Sequence, residues 1–270
     1  MRSHLLAALA ASVLGGCAAQ PELSGVNLQP IEVVAAGSLR AVLTEIARSY
    51  EGRSGQPVVL TFGASGLLRE RIERGEAAQV FASADTGNPQ KLALVGGWSM
   101  PRVFARNQLC ALTQAGIHAT PQLLLEIMLD PAVRLGTSTP KADPAGDYAW
   151  MMFRKAEALR PGAYAALDGK ALQLTGAANS PKAPVGHGTY GWIMEEGQAD
   201  IFLTYCTNAL AAQREVPQLK IVALPSALQV GADYGLTVRR DASPSAQAFA
   251  DMLFEPQAKE VFVRHGFSNP

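Results

Sequence analysis

Two serines stand at equivalent places in the first third of the chain, and both are of a kind that can hold an anion. Ser38 lies in Gly37-Ser38-Leu39, directly after an apolar strand-like run, Ile31 to Ala36. Ser65 lies in Gly63-Ala64-Ser65-Gly66, after a second run that ends at Phe62. Serine in such a turn is a favoured helix N-cap, because its oxygen accepts from a backbone N–H that the first helical turn leaves orphaned. Capping alone explains either serine taken singly. Two glycine-flanked turns of the same type imply more. In an open parallel sheet they lie at the carboxyl edge of the strands, where backbone N–H groups and hydroxyls converge and small side chains admit a ligand. Charge-assisted hydrogen bonds contribute about 1.5–3 kcal/mol each, so five or six would hold an oxyanion without any lysine or arginine.

Catalytic chemistry finds less support. Asp143, Asp147 and Asp200 are scattered, and Asp143 before Pro144-Ala145 reads as a cap at a helix start. The chain has four histidines and contains no HExxH, GxSxG or CxxC. A serine nucleophile needs a neighbouring base, and no pattern supplies one to Ser38 or Ser65. No spacing points to a metal site or a bound cofactor. The expectation is a binding protein and not an enzyme, with an exported serine-nucleophile enzyme as the weaker alternative.

The elements that must position the serines follow from periodicity. After Ile31 to Ala36, the residues Leu39, Val42, Leu43, Ile46, Ala47 and Tyr50 recur on one helical face, closed by Gly52 and Gly55. Pro57 to Phe62 is a second strand, Leu67 to Gly75 a second helix, and Val80 to Ala82 a third strand. A comparable series occupies the middle of the chain. It has strands at Val133 to Gly136, Ala171 to Leu174 and Ile201 to Tyr205, with helices at Gly146 to Arg160 and Tyr190 to Glu196. Gln108 to Thr113 and Tyr234 to Val238 are extended, and an amphipathic helix from Ser245 to Leu253 is expected to continue towards His265. Alternating strands and helices define an α/β protein whose sheets are mostly parallel.

The N-terminus decides the compartment. Arg2 and His4 precede a short apolar run, Leu5 to Gly16, with no acidic residue before Glu22, the layout of a secretory signal. Leu14-Gly15-Gly16-Cys17 resembles a bacterial lipobox, in which the cysteine is lipidated and becomes the mature N-terminus. An ordinary cleaved signal is the alternative. Ala18 to Pro30 is polar, carries two prolines and reads as a tether. The remaining body of roughly 240 residues is enough for two lobes of ordinary domain size. Lys+Arg and Asp+Glu both number 23, which argues against non-specific nucleic-acid binding. Beyond Cys17 only Cys110 and Cys206 remain. In an oxidising compartment they are candidates for a disulfide, two unrelated buried thiols being the alternative.

Several segments together resemble bacterial molybdate-binding proteins. They are Ala35-Ala36-Gly37-Ser38-Leu39, Phe62-Gly63-Ala64-Ser65-Gly66 and Ala82-Ser83-Ala84-Asp85, then Asp143-Pro144-Ala145-Gly146-Asp147-Tyr148-Ala149, Tyr205-Cys206-Thr207-Asn208-Ala209, and the closing Pro256-Gln257-Ala258 to His265-Gly266-Phe267. The resemblance runs in order through nearly the whole body. It implies a two-lobed type II periplasmic-binding fold that closes on a tetrahedral oxyanion, molybdate or tungstate, and delivers it to an ABC permease. It also implies a monomer on the periplasmic face of a membrane, anchored there if Cys17 carries lipid. Carried across by residue, Ser38 and Ser65 would offer hydroxyl and backbone N–H, Ala145 its backbone N–H, and Tyr205 its hydroxyl. Residues 31–107 plus 233–270 would form lobe I and residues 108–232 lobe II.

The chain departs from that pattern in two places. The fifth contact, usually a backbone N–H at an aliphatic residue, falls at His187 in Pro184-Val185-Gly186-His187-Gly188-Thr189. The stretch between Ala145 and His187 is long, with a Gly/Ala/Ser/Pro-rich loop at Gly176 to Gly188. A solvated loop histidine is the plain alternative for His187. Another oxyanion or a small organic acid is the alternative ligand.

Overall fold

The computed structural model describes residues 28–270. The expected signal segment, its lipidated Cys17 and the tether up to residue 27 lie outside the described residues. Strand β1 (Ile31–Ala36) is buried along nearly its whole length, as a Val/Ile/Ala run requires of a strand covered on both faces. It pairs in parallel with β2 (Val58–Gly63) on one edge and β3 (Val80–Ser83) on the other. A short 3-10 turn (Gly37–Leu39) and α1 (Arg40–Ser54) lead from β1 to β2. Helix α1 buries Val42, Leu43, Ile46 and Ala47, the face marked by the periodicity, and ends at Gly55 in the left-handed conformation that glycine adopts freely. Helix α2 (Ser65–Glu73) leads to β3, and α3 (Gly87–Val95) follows it.

The chain then crosses through β4 (Arg102–Thr113), longer than the extended segment expected from sequence. The second half contains α4 (Leu124–Leu129), β5 (Leu135–Ser138), α5 (Pro144–Leu159), α6 (Ala163–Lys170), β6 (Leu172–Thr175), α7 (Thr189–Glu195), β7 (Ile201–Tyr205), α8 (Cys206–Glu215) and β8 (Lys220–Ala223). Strand β9 (Gly231–Val238) crosses back. Helices α9 (Pro244–Met252) and α10 (Pro256–Arg264) close the chain against β1, β3 and α1. The single terminal helix expected from sequence is thus two. Pro256 has no N–H to continue the earlier helix, and its fixed φ suits the first turn of a new one.

The strands form one path, β2-β1-β3-β9-β4-β7-β5-β6, with β8 also on β4. Parallel pairs occupy the outer three strands of each half, and every pair involving β4 or β9 is antiparallel. The expected parallel character therefore holds within each half. The two crossing strands make the sheet as a whole mixed, because each runs back against its neighbours. Strand β4 pairs with β9 over Arg102 to Gln108, then with β7 and β8 over Leu109 to Thr113. One strand thus belongs to both lobes of a two-lobed α/β fold.

The crossing strands also carry an aromatic cluster that holds the C-terminus. Phe104 meets Phe262 edge-on at 5.5 Å between ring centres, Tyr234 meets Phe267 at 5.4 Å, and Phe262 meets Phe267 at 5.6 Å. On the other side of the crossing, Cys110 and Cys206 are disulfide-bonded, with Cα atoms 4.9 Å apart. Cys206 opens α8 instead of lying within a strand, so the bond ties β4 to the turn that follows β7.

The bond joins residues 96 apart in sequence, a loop for which cross-linking stabilises a fold by about 2–5 kcal/mol. Urea unfolding with and without reductant is expected to show a loss of that size, matched by the Cys110→Ser/Cys206→Ser double variant. Equal midpoints for all three samples would mean that the bond constrains nothing in the unfolded chain.

Candidate functional site

Ser65 and Tyr205 meet at one residue. Ser65 is the first residue of α2 and is buried; its Oγ accepts the backbone N–H of Ala84 at 3.1 Å. Tyr205, at the end of β7, is buried as well and donates its hydroxyl to the Ala84 carbonyl at 3.1 Å. Ala84 follows β3, so lobe I and lobe II touch through this residue. They touch again where the Gly66 N–H donates to the Ala142 carbonyl at 3.0 Å. A Cβ at position 66 would lie 2.7 Å from the Ala142 oxygen, so only glycine allows this approach.

Ser38 enters through a second set of bonds. Its Oγ lies 2.9 Å from the hydroxyl of Tyr234 on β9. Asn107 on β4 donates from its amide to Tyr234 at 3.2 Å and to Thr207 Oγ1 on α8 at 2.7 Å. The amide's orientation follows from its other end, whose oxygen accepts the Gln108 N–H at 2.9 Å. Tyr234 accepts from Asn107, and either hydroxyl can be the donor in its bond with Ser38. Ser65 Oγ is an acceptor in its bond with Ala84, so its own hydrogen is not used there. The rings of Tyr205 and Tyr234 stand 5.5 Å apart and connect the two sets.

Ala145 is buried in the first turn of α5, and its N–H is already engaged. The carboxylate of Asp143, the N-cap expected from sequence, accepts it at 3.1 Å. Burial pushes the Asp143 carboxyl up to about 6, opposed by the Ala145 N–H and Ser138 and reinforced by the charges of Asp147 and Asp85. Burial likewise raises Asp147. The phenols of Tyr148, Tyr190, Tyr205 and Tyr234 are all pushed above their ordinary value, mainly by burial, so each stays protonated and able to donate.

His187 is not brought into this group. It is exposed, and its backbone N–H turns back to the Pro184 carbonyl at 3.1 Å through a bend in which Gly186 takes a φ of 91°. The tight turn uses the very N–H that would have been offered to a ligand. The adjoining Gly188 N–H is held by Glu215 at 2.8 Å. Nearer the cluster, Tyr190 on α7 places its hydroxyl 3.4 Å from Ser138 Oγ. Asn107, Thr207, Ser138, Tyr190 and Tyr234 were not singled out from sequence. Each lies in an ordinary strand or helix pattern, and Asn107 stands between Arg106 and Gln108, just outside the extended segment read from sequence, so none carried a signal. A separate surface crevice lined by Pro121, Leu125, Leu159 and Leu228 shares no residue with the cluster. Among the described residues, no group of three His, Cys, Asp or Glu side chains is placed to hold a metal ion, and no helix is long and apolar enough to cross a membrane.

Residues 31–268 match the family described as bacterial extracellular solute-binding protein. The chain belongs to that family. Within it, the likeness to molybdate-binding members extends along the sequence: the chain is 26% identical to the molybdate-binding protein ModA of Mycobacterium tuberculosis over 278 residues, 98% of this chain and 95% of that one. It is 33% identical over 207 residues to the uncharacterized protein PM1146 of Pasteurella multocida, covering 76% of this chain and 86% of that one. In fold it is similar to the periplasmic molybdate-binding protein of Azotobacter vinelandii, with a TM-score of 0.69 at 20% identity, over 89% of this chain and 99% of that one. Ser65 and Tyr205 meet at Ala84, and Ser38 joins them through Tyr234.

Asp143 supplies a check on these surroundings. Its folded pKa, about 6, exceeds the ordinary 3.8, so its charge opposes folding. The stability it contributes is full below about pH 4 and is lost as pH rises through 6. Asn retains the cap, and Asp143→Asn is therefore expected to raise stability at pH 7.5 by up to about 3 kcal/mol, with the gain gone near pH 4. Thermal melts of both proteins across that range measure it, and a pH-independent difference would contradict the half-buried charge.

Proposed function

We propose that this protein is the capture component of an ABC importer and holds a tetrahedral oxyanion between its lobes. Residues 31–107 plus 233–270 form one lobe in this reading, and residues 108–232 the other. The observation that carries it is convergence. Ser65 and Tyr205 share Ala84, and the Tyr205 ring packs against Tyr234, which bonds Ser38, and against Tyr148, in the same helix as Ala145, although nothing local in sequence forces them together. Each stands at a strand end or a helix start, where donors come without counter-charges. Closure of the lobes around the ligand is the event that a membrane permease would read.

Molybdate and tungstate follow from the resemblance and are the first ligands to test, with a small organic acid as the alternative. Export, lipidation at Cys17 and tethering at a membrane surface belong to the same proposal. So does its role as a receptor and not a catalyst. His187 is the weakest of the expected contacts, since its ring is exposed and its backbone N–H is held by Pro184.

A tight ligand raises apparent stability by mass action, so a thermal-shift series over molybdate, tungstate, sulfate and phosphate is the first experiment. Calorimetry then tests the donors. Ser38→Ala and Tyr205→Phe are each expected to weaken binding about ten- to hundredfold, whereas Thr61→Ala on β2 leaves it nearly unchanged. Ser65→Ala is the poorer probe, because it also strips the buried Ala84 N–H of its partner. No stabilisation by any oxyanion, or equal losses at all three positions, would sink the reading.

A further inference from the structure

Both donors that lobe II would bring to an anion are engaged with acceptors of the protein itself. The Tyr205 hydroxyl is bonded to the Ala84 carbonyl, and the Ala145 N–H to the Asp143 carboxylate. The two engagements differ in kind. A hydroxyl rotates about its C–O bond and can change partner. An ionised carboxylate has no hydrogen to give, whatever its orientation. Asp143 is also held in place: Pro144 follows it, its N–H donates to the Thr139 carbonyl at 2.9 Å, and Gly176 packs so closely that a Cβ there would lie 2.7 Å from that of Asp143. It follows Ala142, whose carbonyl accepts the Gly66 N–H at 3.0 Å, which places it beside the start of α2 and Ser65.

Capping does not require a carboxylate. Serine and asparagine cap as well as aspartate does. A carboxylate in this place brings a half-buried charge to the start of α5, with Asp85 and Asp147 adding to the same negative field. A bare anionic oxygen beside Asp143 would set two acceptors face to face with no hydrogen between them. An oxygen bearing a proton would donate to Asp143 in a short, charge-assisted bond, while the hydroxyl hydrogen of Ser65 served another of its oxygens.

We propose that Asp143 is a specificity-determining residue that makes the cleft select an oxyanion carrying a proton, inorganic phosphate being the simplest, over bare anions of the same shape such as sulfate and molybdate. The inference rests on the oxyanion reading above and narrows it. Lobe I supplies donors to the anion, and lobe II supplies the acceptor that demands a hydrogen.

Calorimetry at pH 7.5, where Asp143 is ionised, with phosphate, sulfate and molybdate as separate probes, decides the matter. Wild type is expected to prefer phosphate over sulfate by about tenfold or more, the span of one charge-assisted bond. In Asp143→Asn the side-chain oxygen still caps Ala145 while the amide nitrogen becomes a donor. The preference is expected to fall at least tenfold, with sulfate and molybdate gaining. Asp143→Ser keeps the cap without the charge and should narrow the preference similarly, so a poorly folding Asn variant, recognised by circular dichroism, does not end the test. Wild type binding sulfate or molybdate as tightly as phosphate overturns the inference. So does a preference unchanged in both variants. No binding of any of the three by any of these proteins overturns the oxyanion reading itself, and the inference with it.

Discussion

The pairing of β4 with β9 constrains everything else in this molecule. These antiparallel strands are the crossings between the halves, and each contributes a buried polar residue, Asn107 and Tyr234, to the junction. A buried amide or phenol without a partner costs several kcal/mol, so the bonds that satisfy them are obligatory. Those bonds run to Ser38 on one side and to Thr207 on the other. The 3-10 turn after β1 and the first turn of α8, remote in sequence, are thereby brought into one network. Tyr205 is one residue before α8, and its neighbour Cys206 is bonded to β4, so the tyrosine is positioned by the same strand that carries Asn107.

The donors of the cleft fall into two groups. In the first series of elements, Ser65 spends its oxygen on Ala84 and keeps its hydrogen. In the second, the hydrogens of Tyr205 and Ala145 are spent on Ala84 and Asp143. Under the proposed reading a ligand would replace the bonds of Tyr205 and Ala145 and add one to Ser65. Such exchanges have small net free energies, which suits a receptor that must release what it captures. A ligand shifts such a protein between arrangements only as far as its preference for one of them allows.

Asp143 shows how one side chain serves structure and selectivity together. As a cap it ends the run of orphan N–H groups at α5. As a half-buried charge it sets a requirement on whatever approaches that helix. Because its neighbours include Asp85 and Asp147, the polarity of the cleft comes from the arrangement of donors and acceptors and not from net charge, which is zero for the whole chain.

Much of the fold was legible in the residues themselves. Apolar runs of strand length, helical spacing of Leu39 through Tyr50, and glycine at the turns are local signals, and local backbone preference together with burial of one face turns them into elements. Ser38, Ser65 and Asp143 were legible for the same reason, since each sits at a strand-to-helix junction whose chemistry is local. The Cys110–Cys206 pairing was open, because sequence shows that two thiols exist and not that β4 and β7 are neighbours. Tyr234, Asn107 and Thr207 were invisible as site residues, since their roles arise from strand order and antiparallel register. His187 stands apart from the cluster, and alignment with a resembling pattern locates a position along the chain but not the path of a turn at Gly186. Sequence alone marked most of the strands, the helices α1, α2, α5 and α7, and the glycine-flanked turns that expose N–H groups, whereas α3, α4, α6, α8 and β8 appeared only in the structure. Tertiary structure alone decided which hydrogens remain free, because each hydroxyl's bond is settled by the partner that packing brings within about 3 Å.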